Sequence, residues 1–117
     1  TVAIRIPSGS HKAMRIEHRV AGADANPHLV AAAITAGMLY GIKNKLVAPV
    51  PIEGNAYDQV PESLPNSWLK AIEVFKNSSF VAEYVGEEFQ RVFAATKEQE
   101  LETFSEQITK LEYNTYL

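Results

Sequence analysis

At 117 residues and a net charge of −3, the chain is one domain's worth or a piece of a larger one, and its charge argues for neither nucleic acid nor an anionic membrane as partner. Hydrophobic residues make up 46% and charged residues 21%, a globular rather than a disordered composition. Cysteine is absent, which excludes a disulfide framework and thiolate chemistry and fits a reducing, cytoplasmic setting. The longest apolar run, Leu29 to Ile34, is far short of the roughly 18 residues a membrane span needs, and no basic-then-apolar leader is present.

The text opens in a strand pattern. Thr1 to Ile6 alternates, with Val2, Ile4 and Ile6 on one face and Ala3 and Arg5 on the other. Pro7-Ser8-Gly9-Ser10 is a turn cluster, and Met14 to Val20 reads as a second strand able to pair antiparallel with the first. Two strands need further partners, so a piece cut from a larger sheet is expected. After the small residues Ala21 to Ala25, Asn26 suits a helix N-cap and Pro27 the first helical position. Leu29, Ala32, Ala33, Ala36, Leu39 and Tyr40 keep helical spacing through a helix predicted over 27–45. Its first half is apolar nearly all round and predicts burial on most sides.

From Val47 to Pro65 the text is loop-like, with four of the six prolines, and a loop of that length is often functional. A second helix is predicted over 66–75, with Trp68, Leu69, Ile72 and Phe75 as its core stripe. Ser79 is read as the cap of a short helical turn through Tyr84. After Gly86 a long helix is predicted over 87–111, with Phe89, Val92, Phe93, Thr96, Leu101, Phe104, Ile108 and Leu111 on one side. Its glutamates after Lys97 form a solvated face. The predicted class is α+β: a short antiparallel strand pair (1–20) followed by a mainly helical part (21–117).

One stretch carries chemistry. In Arg15-Ile16-Glu17-His18-Arg19 the period-2 alternation points Arg15, Glu17 and Arg19 one way and Ile16 and His18 the other. Arg5 on the neighbouring strand can add a third cation to the same face. Such a row has two readings. It is a surface ion-pair ladder in a non-catalytic helical interaction domain, where exposed pairs are individually weak. Or it is an anion site, where the carboxylate holds a divalent metal and the arginines bind phosphate or carboxylate bidentately. Phosphoryl transfer needs that mixture, because charge on the phosphoryl oxygens must be matched by metal and guanidinium.

The order and spacing of several short motifs resemble one family. Arg5-Ile6-Pro7, Arg15-Ile16-Glu17-His18-Arg19, Ala25-Asn26-Pro27-His28-Leu29, Ala32-Ala33, Ala36-Gly37 and Gly41-Ile42 are together similar to the C-terminal part of the glutamine synthetase catalytic domain. The match is strong over residues 2 to 45 and looser beyond. The run from Arg15 to Pro27, the segment Glu53-Gly54-Asn55-Ala56-Tyr57 and the tail Glu112 to Leu117 resemble the γ-glutamylpolyamine synthetase-like branch.

The resemblance implies an ATP-dependent ligase joining glutamate to ammonia or an amine through a γ-glutamyl phosphate. It implies that Glu17 ligates a Mg²⁺ or Mn²⁺ ion and that Arg15 contacts the nucleotide phosphates. Arg19 is implied to bind glutamate and the transferring phosphoryl group, and Arg5 to steady phosphate. It also implies a homo-oligomeric ring, a dodecamer in the family. The family's remaining metal ligands and nucleotide strands lie upstream, so these 117 residues alone are expected to be inactive and to hold no cofactor. His11 reads as solvated, and His18 and His28 as packing residues. Tyr57 sits where some bacterial glutamine synthetases are adenylylated, but Gln59-Val60 departs from their text, and a structural loop tyrosine is expected.

Overall fold

The computed structural model describes residues 2–61 and 64–116. The chain forms two compact units, Thr1–Ser63 and Leu64–Leu117.

The first unit begins with two strands, β1 (Ile4–Arg5) and β2 (Glu17–His18). They pair antiparallel with Ile4 opposite His18 and Arg5 opposite Glu17. Both are far shorter than predicted, though Arg19 N–H still donates to Ala3 C=O at 2.9 Å. Pro7 has no N–H for the ladder, and a 3₁₀ turn at His11–Ala13 takes up the middle of the connection. The strand pair is a short ribbon with its side chains largely exposed, Ile4 at 58% and Ile16 at 55%.

Helix α1 (Pro27–Lys43) starts as its sequence dictates. The Asn26 side chain accepts from His28 N–H at 3.0 Å and Leu29 N–H at 3.3 Å. It stops two residues before the predicted end. Lys45 takes a left-handed backbone (φ 50°), Lys45 N–H donates to Ile42 C=O and Leu46 N–H to Gly41 C=O. That is a Schellman closure built with lysine where glycine is usual. The predicted burial of α1 is not found within this unit. Only Ala36 is buried, and Ala31, Ala32, Ala33, Met38 and Leu39 are exposed, because a four-residue strand pair cannot cover a 17-residue helix.

The proline-rich connection is ordered by its own polar side chains. Asn55 accepts from Tyr57 N–H and donates to Asp58 Oδ2 at 3.0 Å, setting a 3₁₀ turn at Ala56–Asp58. Gln59 Nε2 clasps the carbonyls of Glu53 and Asn55 at 2.6 and 3.1 Å. Ala56 is buried, and Tyr57 is 69% exposed.

The second unit is helical: α2 (Trp68–Lys76), α3 (Ser79–Tyr84), α4 (Glu87–Ser105) and α5 (Lys110–Tyr116). Ser67 caps α2 through Lys70 N–H, which moves its start from the predicted residue 66. Ser78, not Ser79, caps α3 through Val81 N–H at 3.2 Å. The predicted long helix ends at Ser105 instead of 111. Thr109 N–H donates to Glu112 Oε2 at 2.8 Å and Glu112 N–H to Thr109 Oγ1 at 3.2 Å. This reciprocal capping box starts a new helix and terminates the old one. The same backbone hydrogen bond from Thr109 lowers the Glu112 pKa.

The core of this unit lies between α2 and α4, with α3 also against α4. Ile72 and Ala94 are buried, and Phe75 and Phe89 each meet Phe93, at ring separations of 5.3 and 5.4 Å. The small Ala94 lets α4 approach α2 closely. Gln90, also buried, donates through Nε2 to Phe75 C=O at 2.7 Å and Ser78 C=O at 2.8 Å. It ties α4 to the α2–α3 junction. Gly86 stands at φ 105°, a backbone that side chains rarely adopt, and turns the chain into α4. Trp68, predicted as core, sits at the rim, 39% exposed and edge-on to Phe104 at 5.6 Å. The apolar stripe of α4 is open beyond the α2 contact, with Phe104 at 67%.

Candidate active site on the strand pair

The register decides which charges meet. Arg5 stands directly across from Glu17, so both project from one face of the ribbon. Arg5 Nη1 donates to Glu17 Oε2 at 2.9 Å. Arg15, two residues before Glu17 on the same strand, donates from Nε at 3.1 Å and Nη2 at 2.7 Å, both to Glu17 Oε1. Arg15 Nη1 also reaches Ala13 C=O at 3.3 Å, which holds the guanidinium in place. Each carboxylate oxygen therefore has its own guanidinium.

These contacts set the charge state. The hydrogen bond from Arg5 holds the Glu17 carboxyl below its ordinary value of 4.5; desolvation opposes it, and the bond from Arg15 and both positive charges add to the lowering. Glu17 is thus an ionised oxygen donor at neutral pH, and it is the least exposed member of the trio. One carboxylate suits a hard cation such as Mg²⁺ or Mn²⁺ but supplies a single ligand of the six or more such ions take. Among the described residues no three His, Cys, Asp or Glu side chains gather into a metal site.

Arg19, expected on the same face, does not join the cluster: its side chain holds no carboxylate among the described residues. Its backbone N–H donates to Ala3 C=O. His18 lies opposite Ile4 on the other face from Glu17, and His11 and His28 are exposed. The part of the site that sequence reading missed is the anchoring of Arg15 on Ala13 C=O. No residue type signals a bond to a backbone carbonyl; only the 3₁₀ turn places it.

Comparison with known proteins gives a consistent answer. The glutamine synthetase catalytic domain matches residues 1–116. The chain is 44% identical to the γ-glutamylputrescine synthetase of Escherichia coli, over 96% of this chain and 24% of that protein. It is 43% identical to a type-1 glutamine synthetase of Dictyostelium discoideum, over 100% of this chain and 23% of that protein. It is 37% identical to a glutamate–isopropylamine ligase of a Pseudomonas species, over 100% and 26%. The chain thus spans about a quarter of the length of these relatives. A helix-rich α+β chain whose Arg-Ile-Pro and Arg-Ile-Glu segments meet in one ion cluster, matched over nearly its whole length, belongs to the glutamine synthetase family.

Proposed function

We propose that this chain is the C-terminal part of the catalytic domain of an ATP-dependent ligase that joins glutamate to ammonia or an amine. The observation that carries the reading is the Arg5–Glu17–Arg15 cluster, a mixture of one ionised carboxylate and two guanidinium groups on one face. An oxygen of the glutamate side-chain carboxylate attacks the γ-phosphorus of ATP, ADP leaves, and a γ-glutamyl phosphate results. The amine nitrogen then attacks the acyl carbon, phosphate leaves, and the nitrogen gives up a proton.

In this scheme Glu17 would supply one oxygen to a Mg²⁺ or Mn²⁺ ion, which would neutralise charge on the phosphoryl oxygens. Arg15 binds the nucleotide phosphates and Arg5 the departing phosphate. Arg19, outside the cluster, binds the glutamate substrate and the transferring phosphoryl group. Guanidinium suits these tasks because its planar fork matches carboxylate and phosphate bidentately. The remaining metal ligands come from outside these 117 residues, and the working protein is a cytoplasmic homo-oligomer of the family's ring type. The relatives include a γ-glutamylputrescine synthetase, a glutamine synthetase and a glutamate–isopropylamine ligase, which supports ammonia or an amine as the acceptor.

ADP release from ATP and glutamate by the full-length protein, scanned over ammonia, putrescine and other amines, tests the reading. At least one amine should stimulate release. If none does, the ligase assignment fails.

A further inference from the structure

We draw no further inference here: the strongest candidate, the exposed apolar surface of α1 at Ala31, Ala32, Ala33, Met38 and Leu39, carries nothing because nothing in the structure shows what covers it.

Discussion

Replacing Gln90 with leucine isolates the polar tie that organises the helical unit. The side chain is buried, and its Nε2 serves two carbonyls, Phe75 and Ser78, at 2.7 and 2.8 Å. Leucine keeps much of the volume and removes both bonds. A buried hydrogen bond contributes about 1 kcal/mol net, and a carbonyl left wholly unsatisfied costs about 1–3 kcal/mol. Neither carbonyl is wholly orphaned, since Phe75 C=O still accepts from Ser78 N–H and Ser78 C=O from Ala82 N–H. The low end therefore applies, about 1–2 kcal/mol for the pair of bonds. Native-state hydrogen exchange of the full-length protein reads this locally: amides of α2 and α3 should exchange roughly 5- to 30-fold faster. Gln90→Glu should be worse than Gln90→Leu at neutral pH, because it aims a carboxylate at two carbonyl oxygens. Unchanged exchange in both variants would refute the claim that Gln90 holds the α2–α3 junction to α4.

Ile72→Ala, at the buried contact of α2 with α4, should destabilise the unit by about 2–4 kcal/mol and expose the same amides in the same assay. Asn26→Ala removes the acceptor of two N–H groups at the start of α1 and should cost about 1 kcal/mol, seen as faster exchange of the first-turn amides. Lys45→Gly, at φ 50°, should instead stabilise the end of α1 by up to about 1 kcal/mol, read from slower exchange of its last-turn amides. The Glu17 carboxyl should titrate below 4.5, its contribution to the folded state being complete above that pH and lost as pH falls through its own lower value. Carbon-13 shifts of labelled glutamate check this, and a midpoint at or above 4.5 would contradict the double guanidinium contact.

Local chemistry was legible where a residue type has one strong use. Asn26-Pro27 marks a helix start, and the helix is there. The Arg15/Glu17 spacing put both on one face, and they meet. Thr109-Lys110-Leu111-Glu112 carries the capping-box signature, but the apolar periodicity running to Leu111 masked it, and the break was missed. Lengths of the strands and burial of α1 were misjudged for a different reason. Alternation and apolarity say which surfaces want cover, not which segment provides it, and here neither the ribbon nor α1 finds that cover within its own unit. Arg19 shows the limit at the site itself. Alternation gave it the same face as Glu17, while the contacts went to Arg5 across the ribbon and Arg15 beside it. Tyr57 lies in the 3₁₀ turn of the proline-rich loop, and the Asn55 and Gln59 bonds around it explain why the loop is ordered.

The central claim is that this ribbon lends one metal-binding carboxylate to a glutamate ligase. Mn²⁺ binding and amine-stimulated ADP release, measured side by side on the full-length protein and its Glu17→Ala variant, test it most directly. The account predicts that both fall together in the variant while the protein keeps its fold. Wild-type Mn²⁺ affinity with wild-type turnover in Glu17→Ala would contradict it.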